Sequence, residues 1–298
     1  MSPHIISASR ATDIPAYYTG WLINRLNEGF VIRKNPFNQK PYKISFENTR
    51  VIVFWTKNPE PLMQHLNWFD DNFPNYYFQF SLNDYSRKIE PAMPPLEKRI
   101  ETFIKLSERI GKKKVIWRFD PLLLTDGIKT GDLFRKIENI AGKLRGYTEK
   151  FVFSFADIKN YRRVQNNLKK AGINAFEFTE KQMLETAKGI YEIFAGSNIK
   201  TATCAEKIDL SQFNISHNKC IDDDLMIKLF PHDKKLMNFL GVKKNEKGIF
   251  VERKRNLKDK GQRKDCRCIE SKDIGTYNTC KSACAYCYAV SNKKIKIK

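Results

Sequence analysis

Six short apolar runs recur along the first two-thirds of the chain, at residues 5–9, 51–56, 76–82, 115–119, 151–155 and 199–203. Each is apolar or β-branched, shorter than an ordinary helix, and bounded by polar or turn-forming residues. That is the pattern of parallel strands buried on both faces. The intervening stretches carry helical periodicity. Asp13 can cap a helix with Pro15 in its first turn, after which Tyr18, Leu22 and Leu26 share a face. Asn58-Pro59 opens the next helix in the same way. Ile100, Phe103, Ile104 and Ile110 line a third that stops at Gly111. Leu133, Ile137, Ile140 and Leu144 line a fourth, and Thr179 with Gln182 forms a capping box before a helix ending near Gly196.

Six such βα units predict an α/β fold with a parallel sheet, open or closed into a partial or full barrel. After Glu206 the pattern changes. An irregular stretch holds Cys220, a helix is expected from about Asp223 to Leu240, a basic segment follows, and the chain ends in a cysteine-rich region. The expected division is a βα-repeat unit over 1–215, a helical and basic connection over 216–264, and a cysteine-rich segment over 265–298 that packs on the repeat unit.

Ligands of parallel βα architectures collect at the carboxyl ends of the strands. Those ends supply Arg10, Thr12, Asp13, Thr56, Lys57, Asn58, Ser81, Asn83, Arg118, Asp120, Ser154, Asp157, Cys204 and Glu206. Helix capping alone would account for several of them, Asp13 and Asn58 included. The stretch Trp117-Arg118-Phe119-Asp120-Pro121 is more telling. It sets a charged residue inside an apolar strand and another at its exit, and a buried charge needs a partner or a ligand.

Composition narrows the chemistry. The chain has 298 residues, 41% of them hydrophobic and 12% aromatic, which fits a folded protein with a substantial core. No apolar run approaches the roughly 20 residues that span a bilayer. The start lacks the charged and apolar regions of a signal peptide, so no membrane association and a cytoplasmic location are expected. Of the four histidines, His4, His65, His217 and His232, no two sit at metal-ligand spacing. Any metal site must therefore be rich in the seven cysteines, which in a reducing compartment are more often ligands than disulfides. The net charge of +21 suggests attraction to polyanions, nucleic acid among them. The densest basic stretches are 243–264 and the tail 293–298. A generally solvated surface would account for the charge equally well.

Cys280-Lys281-Ser282-Ala283-Cys284-Ala285-Tyr286-Cys287 places three thiols at spacings that can bring their sulfurs to one cubane cluster and leave one iron open. Clusters are otherwise commonly held by four cysteines. This Cys-x3-Cys-x2-Cys pattern with an aromatic before the last cysteine resembles the signature of the radical S-adenosylmethionine (SAM) superfamily. The resemblance implies a [4Fe-4S] cluster on Cys280, Cys284 and Cys287, with SAM chelated by the open iron and cleaved reductively to a 5′-deoxyadenosyl radical. It also implies an aromatic Tyr286 near the adenine, an external flavodoxin- or ferredoxin-like electron donor, and a partial (βα)6 TIM-type barrel, which agrees with the six repeats. Arg10, Asp13, Thr56, Lys57, Asn58, Arg118, Asp120, Asp157 and Glu206 are the candidates for binding SAM or substrate.

The departure from that superfamily is position, since its cysteine loop usually lies near the start of the barrel and here lies near the C-terminus. In this the chain is similar to an uncharacterised bacterial domain-of-unknown-function family, family 1848. The matching stretches are Ser7-Ala8-Ser9-Arg10-Ala11-Thr12-Asp13-Ile14-Pro15, Phe54-Trp55-Thr56-Lys57-Asn58-Pro59, Arg118-Phe119-Asp120-Pro121 and the region from Asp273-Ile274-Gly275 to Tyr288-Ala289. A fainter similarity, through Thr56-Lys57 and Arg118 to Pro121, points toward the spore photoproduct lyase group.

Cys204, Cys220, Cys266 and Cys268 remain, and four thiolates are what a closed iron–sulfur cluster or a structural zinc requires. The expectation is a second four-cysteine cluster, with zinc second to it. Ordinary buried thiols at Cys204 and Cys220 are the plainer alternative. Two other classes of protein stay open: a zinc-dependent nucleic-acid-binding protein, and an iron–sulfur electron-transfer or sensor protein without SAM turnover.

Overall fold

The computed structural model describes residues 1–35, 38–244, 250–253 and 256–291. Among these, eight strands form one parallel sheet. In chain order they are β1 (Ile5–Ala8), β2 (Val51–Thr56), β3 (Tyr76–Ser81), β4 (Val115–Leu122), β5 (Lys150–Phe155), β6 (Lys200–Thr203), β7 (Ser216–His217) and β8 (Lys272–Asp273). Their order in space is β7-β6-β5-β4-β3-β2-β1-β8. From β1 to β7 each strand lies beside its predecessor, without the reversal that marks a doubly wound sheet. Only β8 steps back, pairing in parallel with β1 through Ile6 with Lys272 and Ser7 with Asp273.

The six apolar runs are the six longest strands of this sheet. β7 and β8, two residues each, extend it across both expected internal boundaries, near 215 and 265. Helices follow the strands as the periodicity predicts at Leu96–Ile110, stopping at Gly111, at Thr130–Leu144, and at Glu180–Phe194 behind the Thr179–Gln182 capping box. The single helix expected after Asp13 is two, Ile14–Tyr17 capped by Asp13 and Thr19–Asn27, which meet at Tyr18. The helix expected over 223–240 is instead two, Asp223–Leu229 and Lys234–Phe239. Pro231 has no N–H to continue the first, and Asp233 caps the second through Leu236 N.

Successive side chains of a strand point to opposite faces, and here the two faces meet different partners. Phe54, Phe78, Phe80, Trp117, Phe151 and Phe153 pack with helix residues such as Leu22, Phe103, Ile137 and Ile190. On the opposite face Ile5, Val51, Val53, Tyr77, Ile116 and Val152 pack against Ile221, Met226, Leu236, Leu240 and Ile269. Continuing along that second face toward the carboxyl ends, the alternation reaches Ser7, Trp55, Gln79, Arg118 and Ser154. The second face is thus apolar at one end and polar at the other, and the cysteines gather at the polar end. Of the basic stretch 243–264, residues 245–249 and 254–255 lie outside the described residues, as does the whole tail 293–298. Among the described residues no helix is long and apolar enough to cross a membrane.

Candidate metal centre

Asp273, on β8, fastens the cysteine-rich end to the start of the sheet. Its Oδ1 accepts the Ser9 hydroxyl at 2.6 Å and Gly275 N at 2.8 Å, and its Oδ2 accepts the Ser7 hydroxyl at 3.1 Å and Arg10 N at 2.8 Å. Gly275 follows because a Cβ there would lie 1.8 Å from Ser9 Oγ. The chain then crosses the carboxyl ends of the strands. Tyr18 donates its hydroxyl to Thr279 O, Ala285 N donates to Ile89 O, and Asn167 Nδ2 donates to Cys287 O and Val290 O. These contacts come from the loops or helices after β1, β3 and β5, so the loop is braced on several sides.

Within this frame Cys280, Cys284 and Cys287 lie near enough to influence one another's ionisation. Cys284 is buried and the other two are half-buried. Burial pushes the Cys284 and Cys287 thiols up, and the Lys57 ammonium opposes that shift at both. Lys57 is in turn paired with Glu90 at 2.9 Å. Burial alone would lower the Lys57 pKa; Glu90 and Cys284 raise it. Glu90 is 1% exposed and gathers three further groups: the Tyr286 hydroxyl, Asn83 Nδ2 at 3.1 Å and Arg99 at 3.6 Å. The aromatic residue of the cysteine loop is therefore turned inward, its hydroxyl held by Glu90 and by Asn83 at 3.0 Å.

The other four cysteines also converge. The Cys204 and Cys220 sulfurs are 3.5 Å apart, and the Cys268 thiol lies near enough to Cys220 and Cys266 to shift their ionisation. Cys268 Sγ also accepts Cys220 N at 3.2 Å and Ile221 N at 3.4 Å. Two arginines flank the group. Arg118 donates to Cys220 Sγ at 2.9 Å, and the Arg10 guanidinium is near enough to Cys268 and Cys220 for each to raise its pKa. Each guanidinium sits 5.1 Å from the centre of the Trp55 ring. Hydrogen bonding from Cys220, with help from Arg118, brings the Cys204 thiol down to about 7 against the effect of burial. Cys268 is likewise held toward thiolate by its thiol partners and Arg10, while Cys220 and Cys266, the donors, are pushed up. Among the described residues, only Asp222, Asp223 and Asp224 have ligand atoms all within 4.8 Å of one another. No three of the seven thiols lie that close together, although the 3.5 Å between the Cys204 and Cys220 sulfurs is near the roughly 3.8 Å between two thiolates on one zinc ion.

A family profile described as Domain of unknown function (DUF1848) matches residues 5–289. The chain belongs to this family. No curated protein and no solved structure matches it. In this DUF1848 chain the matched span holds all seven cysteines together with Arg10, Lys57, Glu90, Arg118 and Asp273.

The remaining predicted positions divide into two kinds. Asp120 joins the polar rim: it accepts from Arg118 at 2.6 Å and from the Ser154 hydroxyl, and although burial opposes it, Arg118 holds its carboxyl below the usual range. Glu206 accepts Phe155 N at 2.9 Å, and burial pushes its carboxyl up to about 7. The others brace loops. Asp13 accepts Ala16 N and Lys57 N, Thr56 Oγ1 accepts Asn58 N, Asn58 Oδ1 accepts Glu60 N, and Asp157 accepts Asn160 N. Sequence reasoning missed Glu90, Trp55 and Asp273 as organising residues. Asp273 and Trp55 stand inside the stretches that carry the family likeness. Glu90 follows Arg87-Lys88-Ile89 and reads as surface.

Proposed function

We propose that this DUF1848 protein is a radical SAM enzyme whose cluster site is Cys280, Cys284 and Cys287. The observation that carries this reading is the parallel pairing of β8 with β1. It makes the cysteine loop emerge at the carboxyl end of a strand that adjoins the start of the sheet. Counted from β8, the order β8-β1-β2-β3-β4-β5-β6-β7 runs in one direction throughout. We read it as a partial barrel in which the loop follows the first strand in space, although it comes last in sequence. The fold would then be a rearranged-connectivity version of the arrangement that the cysteine spacing implies.

The residues fit the group. One braced loop supplies the three thiols, and Lys57 favours the ionised, ligating form of Cys284 and Cys287. When bound, the cluster would supply the electron that cleaves SAM to a carbon radical. The chain's own part is orientation and exclusion of water. Glu90 and Asn83 fix Tyr286, Asp273 fixes the loop's entry, and Lys57, Asp120, Ser154 and Glu206 offer charges and hydrogen-bond partners at the strand ends for a zwitterionic cosubstrate and a polar substrate. Thiols poised in this way suit a reducing compartment such as the cytoplasm, with a small flavodoxin- or ferredoxin-like protein as electron donor. In the test, protein purified without oxygen is reduced and mixed with SAM, and 5′-deoxyadenosine is measured. Its formation in the wild type and loss in Cys284→Ala support the reading; equal traces in both overturn it.

A further inference from the structure

Cys204, Cys220, Cys266 and Cys268 come from three separate parts of the chain: the exit of β6, the exit of β7, and the stretch before β8. Nothing in the packing of ordinary core cysteines requires four of them to meet. They meet at the polar end of the second sheet face, where Arg118, 1% exposed, follows the apolar run Val115-Ile116-Trp117 of its strand. An arginine so placed costs several kcal/mol in desolvation unless charge and hydrogen bonds offset it. Asp120 and Gln79 engage part of it, and Cys220 takes the rest of one nitrogen.

The site is also incomplete in a specific way. Arg10 Nη2, Trp55 Nε1 and Arg118 Nε are buried donors without a hydrogen-bond partner, and these are the three groups stacked on one another beside the thiols. Asn218, 4% exposed, donates to Cys220 Sγ at 3.1 Å. Buried donors in native proteins almost always find acceptors. Three unmet ones beside four sulfurs call for a bound group that brings acceptors of its own.

We propose that Cys204, Cys220, Cys266 and Cys268 hold a second, fully ligated iron–sulfur cluster, with Arg10, Trp55 and Arg118 facing its sulfides. One feature separates this from zinc. A zinc ion brings no acceptor for the unmet N–H groups, whereas an iron–sulfur core carries inorganic sulfides that accept hydrogen bonds and respond to them. The charge is suited to either metal: four thiolates around a core of about two positive charges leave about two negative charges, which the two arginines offset. With every corner ligated by protein, this cluster has no open iron for SAM, so its chemistry is to hold and pass electrons beside the polar rim.

The site does not depend on the three-cysteine loop, and the test separates the two. The Cys280→Ala/Cys284→Ala/Cys287→Ala variant, reconstituted with iron and sulfide without oxygen, is expected to bind about four irons and four sulfides per chain. That cluster should give an electron paramagnetic resonance signal, after reduction, that does not respond to SAM. In the reciprocal variant, Cys204→Ser/Cys266→Ser with the loop intact, iron should fall from about eight to about four per chain, with circular dichroism showing that the fold is kept. A triple variant that binds no iron while remaining folded, or one that holds a single zinc through reconstitution, would overturn the proposal. So would a reciprocal variant with wild-type iron content.

Discussion

Asp273 Oδ1 accepts the Ser9 hydroxyl at 2.6 Å, a bond between residues 264 positions apart that lies where the last strand of the sheet meets the first. Through it the cysteine loop is tied to the Ser7–Arg10 turn, and Arg10 in turn reaches the Cys268 sulfur. One carboxylate therefore connects both cysteine sets to the sheet.

Replacing it should loosen the first set most. Asp273→Ala removes the acceptor for two hydroxyls and two backbone amides, and hydrogen bonds to a charged acceptor contribute roughly 1.5–3 kcal/mol each when broken singly. The expected outcome is a loss of about 3 kcal/mol in denaturant unfolding, together with loss of the iron bound by Cys280, Cys284 and Cys287. A variant with wild-type stability and full iron content would show that the clasp is dispensable.

Gly275→Ala tests the same junction sterically. A methyl group there meets Ser9 Oγ at 1.8 Å and Ser9 Cβ at 2.5 Å, so β8 or the Ser9 turn has to move. Overpacking of this kind typically costs about 1–3 kcal/mol. A lower thermal midpoint with reduced iron retention is expected, and an unchanged midpoint would mean that Ser9 and Gly275 do not pack closely.

Glu90 balances two cations, the half-buried Lys57 and the buried Arg99. Glu90→Ala would leave both without their carboxylate and the Tyr286 hydroxyl without its acceptor, and removing one partner of a buried pair costs about 3–5 kcal/mol. Glu90→Gln, which keeps an acceptor for Tyr286, should lose less. Chemical denaturation of the two variants checks the order; equal losses would mean that Glu90 serves packing alone.

Much of this was legible in the sequence, for reasons that explain what was not. β1 to β6 announce themselves because each buries a run of apolar side chains on two faces. β7 and β8 are two residues long and carry no period, so their place in the sheet depends on backbone pairing that no local pattern encodes. The helix break at Pro231 was readable in principle, but the apolar spacing on either side is continuous enough to suggest one element. The cysteine spacing gave the three-thiol loop directly. That the other four cysteines converge depends on β6 and β7 ending side by side, which is a matter of topology. Glu90 was hidden for a similar reason: in a segment without periodicity, a glutamate near Arg87 and Lys88 looks solvated, and only the fold shows it buried against Lys57.

Asp13 gives the fold a pH dependence of definite sign. Burial pushes its carboxyl up to about 6, although the amides of Lys57 and Ala16 partly counter the shift. An unfolded aspartate titrates near about 4. The folded value is the higher one, so this group's contribution is fully present below about pH 4 and is lost as pH rises through about 6. The shift corresponds to roughly 3 kcal/mol at most. Measured on apo-protein by denaturant unfolding from pH 4 to pH 7, Asp13→Asn should gain stability relative to wild type as pH rises. A difference that stays constant across that range would contradict it.

The most direct test of the central claim is low-temperature electron paramagnetic resonance of the reduced protein, recorded with and without SAM. If Cys280, Cys284 and Cys287 hold a cube with one iron open, a reduced-cluster signal changes its g-values when SAM is added, and that responsive component is absent from Cys284→Ala. A fully reconstituted, reduced sample whose spectrum is the same with and without SAM would contradict it.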